Sequence, residues 1–120
     1  MTEGKNSHFS FDLSYLNQVF QGNKQMINQI ISMFIKQVPT YFDDMQDCII
    51  RAEYNALHPL AHKAKSSIAM LGLKDMETLV LKIEKNSKEG LDEKELASLV
   101  AQARAECSDV TVQLEQALKE

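Results

Sequence analysis

Apolar side chains recur along this chain at steps of three and four, the spacing that gathers them on one face of an α-helix. The first strong series is Ile27, Ile30, Ile31, Phe34, Ile35 and Val38, and Asn23 ahead of it has the short polar side chain of an N-cap. Pro39 ends that series and a second one follows, Phe42, Met45, Ile49 and Ala52. Residues 23–51 are therefore either one bent helix or two helices joined at the proline. Upstream, Phe11, Leu13, Leu16, Val19 and Phe20 form a weaker pattern that breaks at Gly22, which predicts a short helix over 9–20 lying across the end of the fold.

Downstream, Leu57, Leu60, Ala61, Ala64, Ile68 and Leu71 make one continuous stripe over 55–71. Pro59 fits the first turn of that helix, where a missing N–H costs least, so 55–58 is expected to form a tighter turn, and Gly72 is a natural stop. Met76, Leu79, Val80 and Ile83 predict a helix over 73–87, and the polar residues 86–90 read as a loop. Asp92 followed by Glu95 resembles a capping box, and Leu96, Leu99, Val100, Ala103, Cys107, Val110, Leu114 and Ala117 carry a last helix over 92–118. Long amphipathic helices with short connections bury their stripes only against one another. The expected fold is all-α: an antiparallel bundle of three or four long helices with a short N-terminal capping helix.

A length of 120 residues suits one domain, so 1–120 reads as a single helical unit. With 44% apolar and 25% charged residues the chain has a globular composition, and four glycines, two prolines and no tryptophan agree with helix. No apolar run approaches the length needed to cross a bilayer, and residues 1–10 lack the apolar core of a signal peptide. These features lead us to expect a cytoplasmic protein without membrane attachment. Cys48 and Cys107 lie far apart with no partner at metal-ligand spacing and read as buried free thiols. A net charge of −4 argues against binding nucleic acid. Met26, Met33, Met45, Met70 and Met76, at helical spacing, read first as core filler.

One histidine does not fit a core. On a helical projection of 55–71, His62 falls nearly opposite the stripe of Leu57, Ala61, Ala64 and Ile68 and is expected to face solvent. His58 and Ala69 share its face, Lys65 lies to one side, and Ser66 one turn on is too short to cover it. Between Glu53 and Asp75 there is no acidic residue in a chain with 17 acids, whereas Lys63, Lys65 and Lys74 are present. The expected result is a local positive field suited to a phosphoryl group. Imidazole is largely neutral near pH 7, so a ring nitrogen can act as a nucleophile without a dedicated base. No metal-holding carboxylate cluster, glycine-rich phosphate loop or nucleophile triad is recognisable, so no resident cofactor or metal is expected. Phosphoryl transfer requires a metal ion and in-line positioning, which a partner would then supply. A metal shared by His58 and His62, four residues apart, is disfavoured by the positive surroundings and the missing third ligand.

The run Ala61-His62-Lys63-Ala64-Lys65-Ser66-Ser67-Ile68-Ala69-Met70-Leu71-Gly72 resembles the signature of histidine-containing phosphotransfer (HPt) domains, A-H-x-(apolar)-K-G-S-x-x-x-(apolar)-G. Ile31-Ser32-Met33-Phe34-Ile35 followed by Pro39 is similar to the family's preceding helix, and Leu79, Leu81 and Glu84 sit where its next helix has leucines and an acid, so the resemblance spans about 12–90. It implies an antiparallel, up-down four-helix bundle and a phosphocarrier, not an enzyme. His62 would take a phosphoryl group from a receiver-domain aspartate and pass it to another, in a phosphorelay of two-component signalling. The resemblance gives Lys65 the role of offsetting phosphate charge, makes Ser67 the following small polar residue and makes Gly72 the helix-ending glycine. Ser66 departs from the pattern, standing where the family usually has glycine, and is placed either to slow docking slightly or to hydrogen-bond the imidazole. The implied partners are receiver domains of response regulators and of a hybrid sensor histidine kinase, docking around His58, Lys63, Ala69 and Met70, with Met33 nearby, on a monomer. The chain's start at Met1 favours a free-standing protein. The competing reading is a phosphorylation-independent adaptor bundle in which the histidine is incidental.

Overall fold

A computed structural model describes residues 11–89 and 92–119. Among them it has five α-helices and no strand: α1 (Ser14–Val19), α2 (Lys24–Ile50), α3 (Leu57–Met70), α4 (Lys74–Glu89) and α5 (Glu93–Lys119), with a 3-10 turn at Tyr54–Ala56. Helices α2 to α5 pack each against the next, and α5 closes back on α2. Short connections turn the chain through each reversal, which is the up-down arrangement the sequence predicts. The two 27-residue helices should each run about 40 Å at 1.5 Å per residue, and they match the long dimension of the 42 × 29 × 20 Å molecule. No helix among the described residues is long and apolar enough to cross a membrane.

The predicted stripes form the core. Ile27, Ile31, Phe34, Val38, Phe42 and Met45 of α2 meet Leu57, Ala61, Ala64 and Ile68 of α3, Met76, Val80 and Ile83 of α4, and the Leu96-to-Leu114 stripe of α5. Asn23 caps α2 by accepting from the Met26 N–H (3.2 Å). The choice left open at Pro39 is settled as one helix, since Pro39 lies inside α2. Pro59 occupies the first turn of α3, behind the 3-10 turn. Asp92 caps α5 through the Lys94 N–H (2.9 Å). Cys48 and Cys107 are free and buried, and burial pushes the Cys107 thiol up to about 11.

Three expectations need correction. Helix α1 starts at Ser14 and not at 9; residues 9 and 10 lie outside the described residues, and Asp12 fixes a non-helical lead-in. The Asp12 backbone N–H donates to the Leu71 carbonyl (2.8 Å) while its carboxylate accepts from the Ser14 N–H (2.9 Å). Second, 86–89 is helix, not loop. Ser87 stands four residues after Ile83 on the buried face, and its hydroxyl donates to the Glu84 carbonyl (3.2 Å), so the polar composition hides a continued stripe. Third, the methionines divide: Met45 and Met76 are fully buried and Met70 half-buried, but Met26 and Met33 are exposed.

Helix α3 ends at Gly72 (φ +64°), whose N–H donates to the Ala69 carbonyl while Leu73 donates to that of Ile68, a Schellman turn. A Cβ at Gly72 would lie 2.7 Å from both the Asp12 carbonyl oxygen and its Cβ, whereas one at Gly22 (φ +73°) would meet nothing within 4 Å. Gly22→Ala should therefore lose only the left-handed backbone penalty, about 1 kcal/mol. Gly72→Ala adds a backbone collision and should lose about 2–4 kcal/mol. Urea midpoints at unchanged slope would check this; equal losses would refute the Asp12 contact.

Candidate functional site

Because Leu57, Ala61, Ala64 and Ile68 turn one face of α3 into the core, His62 is turned out, with its side chain 65% exposed. It does not stand uncovered. Its Nδ1 lies 2.9 Å from Oε2 of Glu84, which reaches over from α4. Lys65, one turn on, donates from Nζ to the other carboxylate oxygen, Oε1, at 3.1 Å. Nε2 of His58, one turn back, is 3.7 Å from Oε2, and the two imidazoles stack with centroids 6.3 Å apart and planes 15° from parallel. One carboxylate thus gathers three side chains of the neighbouring helix.

Glu84 is only 16% exposed, and such a carboxylate needs partners to remain ionised. The hydrogen bond from His62 and then that from Lys65 hold its carboxyl below the usual carboxylate range, against the opposing effect of burial. An ionised carboxylate only accepts, so Nδ1 of His62 is the donor and carries the ring proton. In the neutral ring the lone pair then sits on Nε2, the nitrogen away from Glu84. The arrangement provides an exposed nucleophilic nitrogen on an imidazole of fixed tautomer.

Sequence reasoning underrated Glu84, placing it by resemblance alone and assigning it no role. It also took the acid-free stretch around His62 as a field of uncompensated charge, but Glu84 compensates it from another helix. Lys65 lies against Glu84 in this structure, and the imidazole's Nδ1 partner is Glu84, not Ser66. Ser66, Lys63 and Ala69 are exposed around His62. Ser67 and Met70 are half-buried and line a groove of about 150 Å³ between α3 and α2, together with Ile30, Met33, Phe34 and Gln37. Gly72 is remote from this chemistry in kind, acting in the turn after α3. Among the described residues no group of three His, Cys, Asp or Glu side chains is arranged to hold a metal ion.

The lowered Glu84 carboxyl has a pH consequence. A depressed folded-state value contributes stability that is full above the unfolded value and is lost as pH falls through the folded one. The stability gap between wild type and Glu84→Gln should therefore be wide at pH 5.5 and close towards pH 3, read from urea midpoints at both pH values. A gap independent of pH would refute the ion pair.

No curated protein and no solved structure matches the chain significantly. A family model does: that of the Hpt domain matches residues 29–120, from within α2 past the described end of α5. The match covers more than half of the chain and runs through α3 and α4, which carry His62, Lys65 and Glu84, and on through α5. The chain therefore belongs to the Hpt domain family, the phosphocarriers that work with receiver domains in two-component signalling.

Proposed function

We propose that this protein is a phosphorelay intermediate whose acceptor is His62. The observation that carries the reading is the orientation of that imidazole: Nδ1 tied to Glu84 at 2.9 Å on a side chain that is 65% exposed. In the proposed step the Nε2 lone pair attacks phosphorus of a receiver's aspartyl phosphate, the Nε2–P bond forms, and the P–O bond to the aspartate breaks. The aspartate leaves as carboxylate. The ring gains positive charge as its lone pair is committed, and Glu84 beside Nδ1 compensates it. The receiver contributes the Mg²⁺ and the in-line geometry, and a second receiver's aspartate reverses the step.

Lys65 serves the transferred group by swinging its flexible chain from Glu84 towards the phosphoryl oxygens, a movement open to a side chain that is 34% exposed. Receivers of a hybrid sensor kinase and of a response regulator dock in turn on the surface of α3 and α2, with Ala69, Met70 and Met33 making apolar contact and His58, Lys63 and Ser66 at the polar margin. The groove between Met33 and Met70 supports that placement. The protein works as a cytoplasmic monomer and contributes binding and a nucleophile, with catalysis left to its partners.

Incubation with a phosphorylated receiver domain and Mg²⁺ should place acid-labile, base-stable label on wild type and His58→Gln but none on His62→Gln. Label on His62→Gln would move the site, and three unlabelled proteins across a panel of receivers would favour a phosphorylation-independent adaptor.

On the docking surface, Ala69→Glu should raise the KM for transfer severalfold with little change in kcat, because it sets a long charged side chain beside the apolar contact. Unchanged kinetics would remove Ala69 from the interface.

A further inference from the structure

The surface differs in chemistry on the two sides of His62. Towards α2, the groove between Met33 and Met70 has no charged side chain in its lining. Towards α4 lies a larger recess of about 620 Å³, lined by His58, Leu81, Glu84, Lys85, Lys88 and Glu89. We propose, on the reading of His62 as the acceptor, that this recess is a second docking surface for the receiver and takes an acidic segment of it that sets an apolar side chain against Leu81.

Charge complementarity favours that occupant. The one carboxylate in the recess nearest His62, that of Glu84, is already engaged by His62 and Lys65. Lys85 and Lys88 are therefore opposed in the lining by Glu89 alone. The imbalance extends beyond the recess: six lysines against four acids over 54–89 give this hairpin a charge of +2, which leaves −6 on the rest of a chain of net −4. A molecule with its charge so divided turns its α3–α4 side towards an acidic body before contact. A partner that holds Mg²⁺ beside its aspartate does so through carboxylates and water, so the face it brings to His62 is acidic.

Two further observations place the contact. Leu81 is the large apolar side chain that α4 leaves exposed, while Met76, Val80 and Ile83 go to the core. On a helical projection Leu81, Lys85 and Lys88 all fall within about 100° of Glu84, so an apolar position is set among cations on the flank that meets α3. His58 joins the recess to the acceptor, since its ring lines the one and stacks on His62 at 6.3 Å. A body that covers His62 on this side closes over the recess as well.

The test compares transfer from a phosphorylated receiver domain with Mg²⁺ to wild type, Lys85→Gln, Lys88→Gln, Leu81→Asn and Lys82→Gln, at about 20 mM and about 0.5 M NaCl. Lys82 is exposed on the same helix but outside the recess, so its loss makes the same change in net charge away from the proposed contact. Lys85→Gln and Lys88→Gln should each lower kcat/KM about threefold at the lower salt, with little change in kcat, and most of that loss should vanish at the higher salt. Leu81→Asn should raise KM severalfold at both, and Lys82→Gln should match wild type. Lysine variants that behave as Lys82→Gln does, or a Leu81→Asn that transfers as wild type does, would overturn the proposal and place the recess outside the receiver's footprint. A wild type left unlabelled by every receiver of a panel would overturn the phosphorelay reading, and the docking proposal with it.

Discussion

The carboxylate of Glu84 is the constraint on which the rest of the site depends. It joins α4 to the outward face of α3 through His62 and Lys65, and it is half-buried while doing so. A carboxylate in that position is stable only if its oxygens are satisfied, and His62 and Lys65 satisfy one each. The same two bonds that keep the carboxylate ionised orient the imidazole. Structure and chemistry are thus coupled through a single side chain, since removing Glu84 would leave His62 exposed but free to rotate and to change tautomer.

Several features of the fold exist in service of that position. Glu84 lies well inside α4 because Ser87, buried and bonded to the Glu84 carbonyl, carries the helix on to Glu89. The phase of α4 against α3 is set by the turn at Gly72, where close approach to Asp12 leaves no room for a side chain. Asp12 in turn donates to the last carbonyl of that turn's helix end and opens α1. The long helices α2 and α5 provide the frame, and the shorter pair α3 and α4 carries His62 and Glu84. Ala52, with φ +58°, closes α2 in the same type of turn as Gly72 does α3, its N–H bonded to Ile49 and that of Glu53 to Cys48. An alanine is accepted there, in the left-handed region, because the hydrogen bonds that close the turn outweigh a modest backbone penalty.

What the sequence disclosed and what it withheld follow from the range of each interaction. Stripes on α2 to α5, the Asn23 and Asp92 caps and the outward turn of His62 are set by spacing within a few residues, and all were legible. Glu84 was not, because nothing in a one-dimensional pattern states which residue of α4 faces which residue of α3. That register comes from packing across the Gly72 turn. The helix at 86–89 was lost for a related reason: a serine in a polar run reads as loop until its hydroxyl is seen to bond within its own helix. The methionines divide because helical spacing identifies a face but not whether a neighbour covers it. Met45 and Met76 are covered, and Met26 and Met33 are not.

On the proposed reading, a carrier has to satisfy two opposed requirements, and the site divides them between the two ring nitrogens. A group that both accepts and releases phosphate must be reachable by partners of different shape, which favours exposure and few contacts. It must also present one lone pair in one tautomer, which favours contact. Holding Nδ1 against a half-buried carboxylate while Nε2 points away from it on an exposed side chain meets both, because only the held nitrogen loses freedom. Placing the compensating carboxylate on α4, and not among the neighbours of His62 on α3, has a further effect. The exposed face keeps its lysines and small residues, free of acids that would repel an incoming phosphoryl group, while the negative charge that steadies the ring stays behind it. The acid-free stretch of sequence and the acid that the structure returns to it are two halves of one electrostatic arrangement.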